Sequence, residues 1–96
     1  MKWSFLLALG LLVAAATGAR ADVDTAWIAY LKGDYRAALA ELRPLAETGD
    51  ADAQYAMGSL YCDGLAVPRH YRTAAAWFER AARQDHARAQ FSLGFL

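Results

Sequence analysis

A 36-residue internal repeat restricts what this chain can fold into more than any other feature. Ala51-Asp-Ala-Gln-Tyr-Ala-Met-Gly58 returns as Ala87-Arg-Ala-Gln-Phe-Ser-Leu-Gly94. The same offset pairs Tyr35-Arg36 with Tyr71-Arg72, Ala38 with Ala74, Ala40 with Ala76 and Ala46 with Ala82. Ten of the 27 aligned pairs from Asp34/His70 to Leu60/Leu96 are identical. A period of this length belongs to supersecondary units that bury their apolar faces only by stacking on one another. Stacked units of this kind usually serve as recognition surfaces, which favours binding over chemistry.

The units read as helical. From Asp22 to Leu96 the chain holds 17 alanines and six β-branched residues, a composition that favours helices and starves a sheet. Apolar residues recur at helical spacing in five segments. These are Val23, Ala26, Trp27, Tyr30, Leu31; Tyr35, Ala38, Leu39, Leu42, Ala46; Ala53, Ala56, Met57, Leu60, Tyr61; Ala74, Trp77, Phe78, Ala81; and Ala89, Ser92, Leu93, Leu96. Gly33-Asp34 and Gly49-Asp50 each pair a left-handed closing residue with a cap for the next helix. Asp63-Gly64 closes the third segment, and Pro68 follows in a loop. Pro44 lies inside a helical pattern, where a bend is expected because Leu45 and Ala46 continue the stripe. The expected fold is all-α, an α/α solenoid of antiparallel helix pairs with about two repeats plus a partial one. The small residues Ala53, Ala56, Ala74 and Ala81 let helices approach, and Trp77, Phe78, Met57 and Leu60 are expected to fill the gaps.

The first 21 residues have another purpose. Lys2 gives a positive start, Phe5 to Ala16 is apolar, and Ala19-Arg20-Ala21 has the small-x-small spacing of a signal-peptidase site. The apolar stretch is short for a membrane span. Cleavage after Ala21 is expected, leaving a periplasmic or secreted protein that begins at Asp22 and has no stable membrane span. That product carries eight Lys+Arg against ten Asp+Glu, dispersed along the chain. Nucleic acid is not expected as a partner, since it would need a clustered basic excess.

Catalytic patterns are missing from the sequence. Cys62 is the single cysteine, so no internal disulfide framework forms. Cys62, His70 and His86 have spacings that match no metal-ligand pattern. His86 occupies the helix-start position matching Asp50, which makes it a capping candidate. There is no Ser/His/Asp motif and no phosphate-cradling glycine loop. No catalytic residue, metal ligand or cofactor is assigned. Trp27 and Trp77 sit on apolar stripes and read as core.

These residues resemble the Sel-one-like repeat family, relatives of the tetratricopeptide repeats. Ala51-x-Ala-Gln-Tyr-x-Met-Gly58 resembles the opening of its first helix. Gly64 and Val67-Pro68 resemble its loop, and Tyr71…Ala74-x-x-Trp77-Phe78-x-x-Ala81-Ala82 its second helix. Residues 22–49 look like a divergent leading helix pair, 50–85 like one full repeat and 86–96 like the start of a further one. Ala66 stands where the family usually has a second loop glycine, and Asp85 where a glycine usually ends the second helix. Some relatives are cysteine-rich and linked to β-lactam chemistry; with Cys62 alone this chain falls outside that branch.

The resemblance implies a non-enzymatic adaptor that binds another protein or peptide. Asp52, Tyr55 and Ser59 recur one period later as Arg88, Phe91 and Phe95. Their spacing sets them on one side of their helices, away from Ala53, Met57 and Leu60, which makes the six the candidate binding residues. The competing reading packs Tyr55 and Phe91 against the next helix pair. Two other functional readings stay open: a piece of a longer array without independent activity, and an accessory or weak hydrolase of the envelope. Leu96 aligns with the mid-helix Leu60, so Leu93 and Leu96 are expected to lack the packing given to Met57 and Leu60.

Overall fold

The computed structural model describes residues 23–96, so the predicted signal segment lies outside the described residues. Among the described residues the chain forms five helices and no strand. They are α1 (residues 23–31), α2 (Tyr35–Glu47), α3 (Ala51–Asp63), α4 (Tyr71–Ala82) and α5 (Ala87–Leu93). Helix α2 packs on α3, α3 on α4 and α4 on α5, the sequential packing of an α/α solenoid.

Each helix start from α2 onward is capped by the residue that the repeat places there. Asp34 accepts from the Ala37 amide at 3.3 Å, and Asp50 from the Ala53 amide at 2.9 Å. His70 and His86 do the same for α4 and α5 through Nδ1, at 3.1 and 3.2 Å. Imidazole therefore serves as a cap one period after each aspartate. The helix ends repeat as well. The Asp34 amide donates to Ala29 O, Asp50 to Leu45 O and His86 to Ala81 O, all at 2.9–3.2 Å. Such reversals need a left-handed residue just before the donor. Gly33 and Gly49 supply it with φ of +84° and +112°, and Asp85 with φ of +63°.

Ala66 is the other non-glycine residue with positive φ among those described, at +63°. Both family-glycine positions thus keep the left-handed geometry without glycine. For an L-residue with a Cβ this conformation costs about 1–2 kcal/mol, less for aspartate, which tolerates it. Ala66→Gly should therefore stabilise the fold by about 0.5–1 kcal/mol after the extra freedom of the unfolded glycine is subtracted. A urea melt should show a higher midpoint at unchanged slope, and Asp85→Gly a smaller gain.

Two clusters form the core. Ala26, Ala38, Leu42, Ala46, Ala53, Ala56, Met57 and Leu60 fill the space between the leading pair and α3. Ala74, Phe78, Ala81 and Ala89 fill that around α4. Helix α2 runs through Pro44, whose side is exposed, so the missing backbone donor falls on the wet face. Two expectations need correction. Leu31 is 81% exposed, because α1 ends there before its last turn can reach the core. Trp77 is half-buried, with the Arg80 guanidinium 4.7 Å above its ring, and Phe78 is the buried aromatic of the pair. Phe91 is 70% exposed among the described residues.

Leu93 is half-buried and Leu96 46% exposed, whereas their counterparts Met57 and Leu60 are fully enclosed. Leu93 packs on the α4 cluster, as Met57 does on the preceding one.

Candidate functional site

The six candidate residues fall into two recesses that meet at Tyr55. The larger, about 830 Å³, lies over α4 between α3 and α5. Tyr55 and Ser59 line it from α3, Phe78 and Ala75 form part of its floor, and Phe91 and Phe95 line the α5 side. The smaller, about 330 Å³, holds Asp52 and Arg88 with Trp27, Tyr55 and His86. The 36-residue spacing places Tyr55 and Phe91 on opposite walls of one groove because α5 sits on α4 much as α3 sits on α2.

Tyr55 is held in place rather than free. Its ring stacks on His86 at 4.9 Å and 20°, and lies 5.7 Å from Phe78 and 6.5 Å from Trp27. The His86 ring is fixed at both nitrogens. Nδ1 accepts from the Ala89 amide, so the proton of the neutral ring sits on Nε2 and donates to Asp52 Oδ1 at 2.9 Å. Asp52 thus positions the imidazole on which Tyr55 stacks, a structural task beside any part in binding. Ser59 donates to Tyr55 O, an ordinary back-bond within the helix.

The α5 side is more open. Phe91 and Phe95 are 70% and 78% exposed, with ring centroids 4.9 Å apart. Two phenylalanines in water, facing a wall that contains Tyr55, form an apolar surface of the kind that marks an interaction site. Cys62 is a half-buried free thiol on the same wall as Tyr55, and Asp63 and Arg72 lend the groove one charge of each sign. Among the described residues no three His, Cys, Asp or Glu side chains gather as a metal site. No described helix is long and apolar enough to cross a membrane.

The sequence alone assigns no role to the motif glutamine, which is the main structural residue beside this site. Gln54 is buried, donates from Nε2 to Ala46 O at 3.1 Å and accepts at Oε1 from Gln84 at 2.9 Å. Gln84 also donates to Gly49 O at 2.9 Å, and Arg80 Nη2 to Ala46 O at 3.3 Å. Three side chains therefore bond carbonyls at and just beyond the end of α2, where Ala46 O also accepts from the Gly49 amide at 3.2 Å. Gln90 Nε2 makes the equivalent bond to Ala82 O at 3.2 Å, one period later in both donor and acceptor. The recurrence of glutamine at 54 and 90 is the sequence signal for this bond.

The family model of the Sel1 repeat matches residues 51–86, which span the α3–α4 pair and its connecting loop. Residues 51–86 form a Sel1 repeat. No curated protein and no solved structure matched it. Sel1 repeats generally mediate protein–protein interaction, so the partner class indicated by the repeat is a protein.

Proposed function

We propose that this chain is an exported, non-enzymatic scaffold that holds another envelope or secreted protein in the groove between α3 and α5. The groove itself carries the reading: it gathers Tyr55, Ser59, Phe91 and Phe95 into one accessible aromatic surface. Aromatic side chains dominate interface hot spots because they bury large areas at low entropic cost. Asp52 and Arg88 flank that surface in the adjoining recess and offer both charges to a polar rim. Export is supported by Lys2, the apolar stretch from Phe5 to Ala16 and the Ala19/Ala21 pair, which together read as a cleaved signal peptide.

A photo-crosslinking amino acid at Phe95, compared with one at the exposed Arg36 on α2, tests the reading in cells. The Phe95 probe should give one discrete adduct with an envelope or secreted protein, and the Arg36 probe none. Amino-terminal sequencing of the recovered chain should begin at Asp22. Equal adducts from both probes, or none from Phe95, would remove the groove from the function. An intact Met1 on membrane-bound chain would remove export.

A further inference from the structure

We propose that the outer face of α2 and α4 is a docking surface for an anionic phospholipid bilayer, with arginine guanidinium groups set against headgroup phosphates. Along the sequence the charges are dispersed, but the fold sorts them by helix. The exposed charged side chains of α2, α4 and the α4 cap are Arg36, Arg43, Arg72, Arg80 and Arg83 with Glu47 and Glu79, a net charge of +3. Those of α1, α3 and α5 are Asp24, Asp52 and Asp63 with Arg88, a net charge of −2.

The two arginine-bearing helices share one side of the molecule. Ala38, Leu42 and Ala46 turn α2 toward the core, and Ala74, Phe78 and Ala81 do the same for α4. Helical spacing then sends Arg36, Ala40 and Arg43 outward from α2, and Ala76, Arg80 and Arg83 outward from α4. Both helices pack on α3, and their ends meet where Arg80 Nη2 donates to Ala46 O and Glu47 O at 3.3 and 3.5 Å.

These cations are not neutralised within the fold. Among the described residues the one ion pair is His86 with Asp52, and no arginine is paired with a carboxylate. Arg43 meets the Tyr61 hydroxyl at 3.5 Å, and Arg80 lies over the Trp77 ring and bonds neutral carbonyls, so both keep their charge. Glu41, the other acid of α2, is half-buried with Oε2 enclosed, so that oxygen does not reach the surface.

The composition of the face selects its partner. Tyr71 is the one large apolar side chain of α2 and α4 that is strongly exposed, and it lines the groove instead. Protein interfaces are anchored by aromatic side chains that become buried, and this face offers no exposed one. Alanines stand between its arginines, so guanidinium groups are what it presents. Guanidinium pairs bidentately with phosphate, and each basic side chain adds attraction to an anionic leaflet. The carboxylates of α1 and α3 lie one helix layer behind, at about 8–10 Å between axes. The Debye length is about 8 Å at physiological ionic strength, so salt screens much of their repulsion. The contact is a reversible adsorption. It goes beyond the groove reading, since none of Arg36, Arg43, Arg80 and Arg83 lines either recess.

Cosedimentation of the full chain with vesicles is the test. Vesicles of equal parts phosphatidylglycerol and phosphatidylcholine should bind it at least about tenfold more tightly than phosphatidylcholine alone in dilute buffer. That excess should vanish at about 0.5 M salt. Insertion of the apolar stretch from Phe5 to Ala16 would resist salt and be common to every variant, so it does not enter the comparison. Arg36→Gln combined with Arg83→Gln should weaken binding about 25-fold, at about fivefold per arginine. The circular dichroism melt should stay unchanged, since neither side chain has a partner in the fold. Glu79→Gln should strengthen binding about fivefold. Asp24→Asn makes the same change of charge on the other side and should alter binding by less than about twofold. Equal binding to the two kinds of vesicle, indifference to the double change, or equal gains from Glu79→Gln and Asp24→Asn would overturn the proposal. So would a protein adduct from the Arg36 probe in cells, because it would give this face to an acidic protein. Absence of a Phe95 adduct would remove the groove reading and leave this face standing.

Discussion

Phe78→Ala should lower the stability of the fold by about 3–5 kcal/mol, the range for removing a buried phenylalanine. Phe78 is the one large side chain in the cluster that joins α4 to α3 and α5; the others enclosed there are Ala74, Ala81 and Ala89. Alanines cannot collapse into the cavity, so relaxation offers little relief. Small domains have a total stability of roughly 5–15 kcal/mol, and a chain whose core is this rich in alanine belongs at the low end. Far-UV circular dichroism at 25 °C should show substantial loss of helix, and the thermal transition should broaden or vanish. Trp77→Ala should cost less, because Trp77 is half-buried and covered by the Arg80 side chain. A cooperative melt for Phe78→Ala near the wild-type midpoint would show that α4 is held by something other than this ring.

The second large effect is at the surface that receives the ring. Gly58→Leu should destabilise by about 3 kcal/mol, the upper range for overpacking, although leucine is intrinsically the better helix former. The reason is geometric: even a Cβ at position 58 would come within 2.5 Å of Phe78, so the ring or the helix must move. Combining Gly58→Leu with Phe78→Ala should recover part of the loss, since the leucine then occupies space the ring has left. That non-additivity is the expected mark of two residues in contact. The repeat-equivalent Gly94→Leu should be close to neutral in the same melts. If Gly58→Leu and Gly94→Leu cost the same, glycine at this position serves helix geometry and not the packing of α4.

The local structure was legible because it depends on single residues and their near neighbours. The 36-residue offset gave the repeat unit, and alanine content with helical periodicity gave the helices. Gly33, Gly49 and Gly64 with Asp34 and Asp50 marked the boundaries, and the structure puts reversals and caps at those positions. The periodicity also set Asp52, Tyr55 and Ser59 on the same side as Arg88, Phe91 and Phe95, and the structure gathers the six around two adjoining recesses.

Other features depend on how helices are brought together, and these the sequence left open. Trp77 and Phe78 are adjacent and both apolar, and only the docking of α4 on Gly58 decides which ring is enclosed. Gln54 reads as a polar helix residue until the end of α2 and the side chain of Gln84 are placed around it. Tyr55 and Phe91 occupy the same position in the repeat, yet one is stacked on His86 and the other is open to water. The neighbouring helix makes the difference: α4 brings Phe78 beside Tyr55, and no described helix brings a counterpart to Phe91. By itself the sequence of this chain determined its units, their ends and their order, because turns, caps and helical stripes are short-range properties. The tertiary structure alone decided which side of each unit is covered, because burial depends on the neighbour and is not encoded in any one repeat.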